Sequence, residues 1–339
     1  MRYHNPVYPE YFADPFVWEH QGSYYAIGTG PAEADGSVER ERVFPLLHSH
    51  DLVNWVPAGD ALERPDRSLG TTFWAPEVAY ADGLFWLYYS VGFGDKKHQI
   101  RVAVADNPVG PYRDAIPDPL VAPKNPRFAI DPHPFRDDDG QWYLFFARDF
   151  LDSGITEPFG RVRAGTALAV VPLENMAKVA GEPKIVLRAR RNWQRFMSDR
   201  LMYGGIFDWH TLEGPFVRKH NGRYYCFYSG GRWETDTYGV DYGVSDSVMG
   251  PYDDSGNESG PRVLRTVHGK VLGPGHNSIV TGPENRDFIV YHAWDPEMTA
   301  RRLCIDPLVW KKQGPRSPGP TWTSIQIDLK TPVEAFNHG

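Results

Sequence analysis

The chain has 339 residues and a formal net charge of −7, and aromatic residues make up 14% of it. No basic run stands out, which argues against a nucleic-acid partner. No apolar stretch reaches the length of a membrane span, which argues against insertion into a bilayer. Glycine (33) and proline (30) are plentiful, as is typical of many short strands joined by tight turns. The composition therefore predicts an all-β protein, and because no composition break divides it, we expect one domain over residues 1–339.

The N-terminal residues and the cysteines bear on the compartment of the protein. Residues 1–6 contain no apolar signal region, so we expect a cytoplasmic protein, or a secreted one if a signal was removed. Cys226 and Cys304 lie in apolar, strand-like runs, which favours two buried free thiols over one disulfide. No His/Cys spacing matches a zinc site.

A degenerate repeat runs along the chain. Its copies begin at residues 14, 75, 131, 214 and 276, and the third interval is the longest. In four copies a proline follows the first residue, and a turn containing glycine then leads to an aromatic pair such as Tyr24-Tyr25. Asn221-Gly222 and Asp82-Gly83 suit two-residue hairpin turns, because both central positions of such a turn need positive φ. Each copy therefore predicts a hairpin.

A second half-motif follows two of these hairpins, at residues 106–112 and 246–252, and residues 49–55 resemble it. A repeat of about 60 residues holds two hairpins, or one four-stranded blade. We therefore predict a five-bladed β-propeller with about four antiparallel strands per blade. We interpret residues 188–200, in the long third interval, as a loop insertion with one short helix. We expect the segment after Gly314 to close the ring or to cross its base.

Three acidic residues stand where inner strands begin: Asp14, Asp131 and Glu213. The starts of the innermost strands converge at one mouth of a propeller channel, where a buried carboxylate is costly unless it is paired or functional. An ionised carboxylate activates water, and a protonated one gives its proton to a leaving oxygen. A gap of roughly 6.5–9.5 Å between them leads to inversion, and a third carboxylate raises a neighbour's pKa. The set predicts cleavage of glycosides.

These residues lie in motifs whose order along the chain resembles glycoside hydrolase family 43. The motifs are Asp14-Pro15, Trp74-Ala75-Pro76-Glu77, Ile130-Asp131-Pro132, Glu213-Gly214-Pro215, Gly275-His276-Asn277-Ser278, Tyr291-His292-Ala293 and Ile305-Asp306-Pro307-Leu308-Val309-Trp310. The resemblance covers nearly the whole chain. It implies that Asp14 is the general base, that Asp131 tunes a pKa and orients the substrate, and that Glu213 is the general acid.

Four further residues are candidates for the same pocket. Trp74 either stacks on a sugar ring or fills the core, and Phe16 is expected to line the pocket. Arg301, more than its neighbour Arg302, is a candidate to hydrogen-bond sugar hydroxyls, although a solvated surface arginine fits equally well. The resemblance implies that His276 lies beside a calcium ion or a water cluster. Calcium prefers oxygen ligands, so one imidazole with waters would be an unusual site.

The family includes β-xylosidases, α-L-arabinofuranosidases, endo-arabinanases and galactan-acting enzymes. We expect an inverting exo-β-1,4-xylosidase that acts on short plant xylo- or arabino-oligosaccharides, with α-L-arabinofuranosidase as a further activity. The alternative is an arabinan-degrading enzyme, exo or endo. We expect no second β-sandwich domain of the kind that the larger xylosidases carry, which leaves exo action open. Two rivals from other classes are a sugar-binding and a protein-binding propeller without catalysis, neither of which needs three acids.

Overall fold

The computed structural model describes residues 1–32, 39–122, 128–151 and 163–327. The described chain is built from β-strands, with 3₁₀ turns at Asn192–Gln194 and Pro283–Asn285. Within those ranges, no helix has the length and apolar character needed to cross a bilayer. The prediction of an all-β protein is confirmed.

Two short N-terminal strands precede two four-stranded antiparallel sheets. The N-terminal strands are β1 (Arg2–Tyr3) and β2 (Tyr8–Tyr11). The first sheet contains β3 (Ala13–His20), β4 (Ser23–Thr29), β5 (Arg42–Ser49) and β6 (Val56–Glu63). The second contains β7 (Thr72–Ala81), β8 (Leu84–Phe93), β9 (Lys96–Ala105) and β10 (Arg113–Asp114).

The third sheet is larger than its neighbours, with seven strands. They are β11 (Ala129–Arg136), β12 (Trp142–Phe150), β13 (Arg163–Asn175), β14 (Lys178–Val179), β15 (Lys184–Leu187), β16 (Arg195–Met202) and β17 (Gly205–His210). The fourth sheet has three strands, β18 (Leu212–His220), β19 (Arg223–Gly230) and β20 (Gly239–Ser245).

The fifth sheet joins the two ends of the chain. It contains β21 (Leu272–Thr281), β22 (Asp287–Trp294) and β23 (Arg301–Pro307), and β2 pairs with β23 as its fourth strand. The last strands are β24 (Val309–Lys311), β25 (Gly314–Arg316) and β26 (Ile325–Gln326), of which β26 pairs with β1. Strand β2, near the N-terminus, therefore completes the last sheet, and the segment after Gly314 runs back to β1. Residues 328–339 lie outside the described part.

The first strands of these sheets contact one another in a closed cycle: β3 with β7, β7 with β11, β11 with β18, β18 with β21, and β21 with β3. The result is a propeller-like arrangement of small antiparallel sheets. Three of them have the predicted four strands. The third sheet exceeds four because the long interval adds β14–β17 to it. In the fourth, two isolated bridges, Val240 with Leu264 and Val244 with Asp253, stand where a fourth strand is expected.

The predicted turns form where the sequence places them. Asn221 and Gly222 have φ values of 48° and 75°, and Asp82 and Gly83 have 54° and 79°. All four lie in the left-handed region that such turns require. The insertion predicted as a loop forms the β16–β17 hairpin, preceded by the Asn192–Gln194 turn.

The sheets bury side chains on both faces. Tyr88 and Tyr89, adjacent on β8, belong to different apolar clusters, as do Phe145 and Phe146 on β12. Successive residues of a strand point to opposite faces, so each central strand packs against both neighbouring sheets. Cys226 and Cys304 are buried free thiols, as predicted.

Candidate active site

Each innermost strand is interrupted by a bulge at the same point. The residue at the bulge has a positive φ in all five strands: Asp14 (49°), Ala75 (45°), Asp131 (58°), Gly214 (56°) and His276 (49°). Non-glycine residues rarely adopt this conformation, and bulges often re-aim a side chain at a functional site. The bulges therefore change the direction of one residue in each innermost strand, at the same level of the ring.

Glu213 is not equivalent to the other two acids, although all three stand where inner strands begin. Asp14 and Asp131 occupy the bulge position itself, whereas Glu213 precedes it, as Trp74 precedes Ala75. Gly214 takes the bulge position of the fourth strand. A Cβ at Gly214 would lie 3.1 Å from the His276 ring, so a larger residue would crowd this point of the site.

The bulges are anchored to the neighbouring sheets through backbone N–H groups. The amide of Asp131 donates to Ser90 Oγ at 3.0 Å, and that of His276 donates to Ser229 Oγ at 2.7 Å. The amide of Asp14 donates to His292 Nδ1 at 3.0 Å. Because each bond crosses from one sheet to the next, the position of each acid depends on closure of the ring.

A cavity of about 1100 Å³ contains six of the seven predicted site residues: Asp14, Trp74, Asp131, Glu213, His276 and Arg301. The aromatic side chains of Phe44, Phe73, Phe196 and Trp233 also line it. Trp74 is half-buried and stacks on His98, with ring centroids 3.8 Å apart and planes 17° apart. The indole is therefore held firmly where it lines the cavity.

The structure places Phe16 outside this cavity. Phe16 lines a second cavity with His133 and Phe216, and its ring centroid lies 6.5 Å from that of Phe216. The bulge at Asp14 adds a residue to the strand and breaks the alternation of its side chains. Phe16 therefore does not share the side of the strand that Asp14 occupies.

Asp14 lies among three cationic or potentially cationic groups. Its Oδ1 is 3.2 Å from Arg301 Nη1, 3.4 Å from His276 Nδ1 and 3.3 Å from His292 Nδ1. Burial lowers the pKa of His292 to about 4, so this ring is neutral and its Nδ1 accepts the Asp14 amide proton. Burial would raise the pKa of Asp14, but Arg301 and His276 outweigh it and hold the pKa well below its usual range. Asp14 is therefore an ionised carboxylate.

Arg301 is a buried partner of Asp14 and not a solvated surface arginine. It begins β23, the third strand of the last sheet. Its Nη2 donates to the Tyr11 hydroxyl at 2.7 Å, and its guanidinium lies 4.4 Å from the centroid of the Trp233 ring. These contacts fix the guanidinium against the carboxylate.

Asp131 and Glu213 oppose each other's ionisation. Asp131 Oδ2 accepts the Gly214 N–H at 2.9 Å, and Glu213 Oε1 accepts the Tyr238 hydroxyl at 2.6 Å. Burial and the charges of Glu213 and Asp14 raise the pKa of Asp131 well above its usual range. Burial raises the pKa of Glu213 to about 7, with the Tyr238 bond acting against it and Asp14 adding to it. One cavity thus holds an ionised carboxylate and a carboxylic acid, the separation that acid–base catalysis needs.

His276 was expected beside calcium. Its imidazole faces Asp14, and burial lowers its pKa. Across the described ranges, no group of three or more His, Cys, Asp or Glu side chains is arranged to hold a metal ion. These residues do not fit a calcium site built from protein ligands, and calcium stays a prediction of the resemblance.

Three residues of the site were not predicted from sequence. Tyr238 contacts Glu213, His292 anchors Asp14, and Arg200 lines the cavity from β16. His292 belongs to the Tyr291-His292-Ala293 motif and is the one histidine in β22, but its contact with Asp14 was not predicted. Tyr238 and Arg200 carry no signal, because neither belongs to a motif of the repeat.

Comparisons with known proteins agree with this geometry. The model of Glycosyl hydrolases family 43 matches residues 3–315. A beta-D-galactofuranosidase from Aspergillus niger is 29% identical over 91% of this chain and 83% of its own. An extracellular endo-alpha-(1->5)-L-arabinanase from Bacillus subtilis is 28% identical over 90% of this chain and 87% of its own. Other relatives are named as arabinofuranosidases and xylosidases.

A solved structure of similar shape is that of a thermostable family-43 glycoside hydrolase. It has a TM-score of 0.78 and 28% identity, and the match covers 97% of this chain and 100% of that one. The match along both sequence and structure, with acids at the bulges of one ring, shows that the chain belongs to glycosyl hydrolase family 43.

Proposed function

We propose that the protein is an inverting, exo-acting glycosidase that releases a terminal pentose from short plant-polysaccharide oligosaccharides. A β-1,4-linked xylose is the first candidate for that pentose, with an α-linked L-arabinofuranose as a further substrate. The observation that carries the proposal is the convergence of Asp14, Asp131 and Glu213 on one cavity, with Arg301 3.2 Å from Asp14 and the Tyr238 hydroxyl 2.6 Å from Glu213.

The two groups divide the reaction between them. Asp14 takes a proton from a water molecule as the water oxygen bonds to the anomeric carbon. The bond from that carbon to the glycosidic oxygen breaks with its electron pair on the oxygen, and Glu213 gives its proton to that oxygen. Water enters on the face opposite the leaving group, so the anomeric configuration inverts. Each proton transfer is typically worth about 100- to 10,000-fold in rate.

Asp131 supports the acid without taking part in bond exchange. Its carboxylate is tied to the amide of Gly214, the residue after Glu213, at 2.9 Å. Since the negative charge of one carboxylate raises the pKa of the other, the pair retains a proton near neutral pH. In this scheme Asp131 favours the protonated form of Glu213, so that Glu213 holds the proton that it delivers.

Exo action is supported by the arm formed by β16 and β17. Arg200 Nη2 on this arm lies 3.3 Å from Asp95 Oδ2, in the turn between β8 and β9, and both residues line the cavity. This contact spans one side of the cavity and favours a pocket over an open groove. We also infer that the five sheets of three or more strands are five blades of one propeller, because their first strands form the closed cycle.

An arabinan-degrading activity is the second candidate. Two of the relatives named above act, by their names, on α-(1→5)-linked arabinan or on a furanoside. A cavity that accepts a furanose would use the same pair, Asp14 and Glu213.

The test is a panel of aryl β-D-xylosides and α-L-arabinofuranosides, with xylobiose, arabinobiose and linear arabinan as natural substrates. We expect release of single pentoses, and proton NMR of the first-formed sugar to show an inverted anomer. A retained anomer would reject Asp14 as the base. Mixed oligosaccharides from arabinan would instead select an endo-arabinanase. Glu213→Gln is the control that ties the measured activity to this cavity.

A further inference from the structure

We infer that Tyr238 is a positioning residue that confines the acid proton of Glu213 to Oε2, by occupying Oε1 with its own hydroxyl. The inference rests on the proposed function, because it concerns the proton that Glu213 would deliver. A carboxylic acid has two oxygens, and only one can point its proton at the leaving oxygen. Fixing the proton on that oxygen removes an unproductive form of the acid.

The geometry holds the Tyr238 hydroxyl in place. It donates to Glu213 Oε1 at 2.6 Å, and the side chain is only 1% exposed. Its ring lies parallel to that of His292, with centroids 5.9 Å apart and planes 9° apart. Gly275 lies on β21, opposite His292 on β22. A Cβ at Gly275 would overlap the Tyr238 ring, so the glycine leaves the space that the ring fills. The ring is therefore enclosed and the hydroxyl keeps one partner.

The direction of the bond follows from the protonation of the tyrosine. Burial, with the charges of Glu213, Asp14 and Asp131, raises the pKa of Tyr238 well above its usual value. The hydroxyl therefore keeps its single proton at every working pH and points it at Oε1. A second proton on Oε1 along that line would collide with it, so the acid proton resides on Oε2.

The same bond also favours the reaction as it proceeds. Glu213 is neutral before proton transfer and negative after it, and hydrogen bonds to a charged acceptor are shorter and stronger than those to a neutral one. The Tyr238 bond thus strengthens as charge develops on Glu213, which is the condition for lowering a barrier. The other charged groups that act on Glu213 are Asp14 and Asp131, which oppose its ionisation, and Arg301 and Arg200, which favour it.

The test is Tyr238→Phe, which keeps the ring, its stacking on His292 and its fit against Gly275. Tyr242→Phe is the matched control. Tyr242 is also buried and lies four residues after Tyr238, in β20. It donates its hydroxyl proton to the Gln313 carbonyl at 3.0 Å, away from the carboxylates. Both variants are assayed well below their melting temperatures on aryl glycosides that range from dinitrophenyl to phenyl leaving groups.

We expect Tyr238→Phe to lose about tenfold or more in kcat on the poorest leaving group and little on the dinitrophenyl substrate, with KM unchanged. The alkaline limb of the variant's pH–activity profile should move up by about one pH unit, because Glu213 loses a hydrogen bond that favours its charged form. Tyr242→Phe should show neither effect. Equal losses on all substrates with an unmoved limb would overturn the inference.

The outcome for Glu213→Gln separates this inference from the proposed function. If Glu213→Gln depends steeply on the leaving group and Tyr238→Phe does not, the acid assignment stands and the role of Tyr238 is refuted. If Glu213→Gln shows no such dependence, the assignment of the acid fails and the inference fails with it.

Discussion

Arg301 Nη1 lies 3.2 Å from Asp14 Oδ1, and both side chains are almost fully buried. The pair joins the third strand of the last sheet to the first bulge of the ring. It places a permanent positive charge against the carboxylate that the proposed mechanism uses as a base. A buried ion pair of this kind makes one partner strongly dependent on the other.

Arg301→Gln should move the acid limb of the pH profile upward. Asp14 acts as a base only when ionised, that is, above its pKa, and Arg301 holds that pKa well below its usual range. Without the guanidinium, burial dominates and the pKa rises, so activity is lost at low pH and recovers at higher pH. We expect a shift of at least about one pH unit in kcat/KM.

Arg302→Gln is the control for this measurement. Arg302 is the next residue on the strand but pairs with Asp295 at 2.8 Å. Its replacement should leave the acid limb in place. An acid limb that is identical in Arg301→Gln and the unmodified protein would show that Arg301 does not set the pKa of Asp14.

His133 should matter for stability more than for catalysis. Its Nδ1 bonds Glu77 Oε2 at 2.6 Å, and its Nε2 accepts the Val217 N–H at 2.9 Å, so it links three inner strands. His133→Leu leaves both partners buried without this hydrogen bond and should lower the free energy of unfolding by about 3 kcal/mol. Glu77→Gln keeps an acceptor for Nδ1 and should cost about 1 kcal/mol or less. Urea denaturation compares the two, and equal costs would contradict this network.

Calcium at His276 rests on the resemblance alone. If an ion is held there mainly by water, chelation should lower kcat and added calcium should restore it. His276→Ala should then abolish the response to both. Turnover that is unaffected by a chelator would assign His276 to its contact with Asp14, at 3.4 Å, and to nothing else.

The local features of the fold were predictable from sequence because local chemistry determines them. Asn221-Gly222 and Asp82-Gly83 form the predicted turns, and the bulges begin where the X-Pro motifs stand. The prolines also give the phase of the bulges, because they align Gly214 with Asp14. Glu213 therefore falls one residue earlier, in the position that Trp74 takes on its own strand.

The partners of the acids were not predictable, because they lie far from the acids along the chain. Arg301 is 287 positions from Asp14, and Tyr238, directly before β20, is 25 positions from Glu213. Nothing local to any of these residues indicates the contact. The environments that separate the pKa of Asp14 from that of Glu213 therefore appear only in the assembled structure.

The central claim is that Glu213 donates the proton and Asp14 activates the water. The most direct test compares the activity that Glu213→Gln loses on two substrates. One is xylobiose, or arabinobiose if that is the better substrate, and the other is the matching dinitrophenyl glycoside. A dinitrophenolate departs without a proton, so we expect a loss of about 100-fold or more on the disaccharide and a far smaller one on the aryl substrate. Asp14→Asn should impair both substrates alike, because both need the attacking water. Equal losses for Glu213→Gln on the two substrates would contradict the assignment.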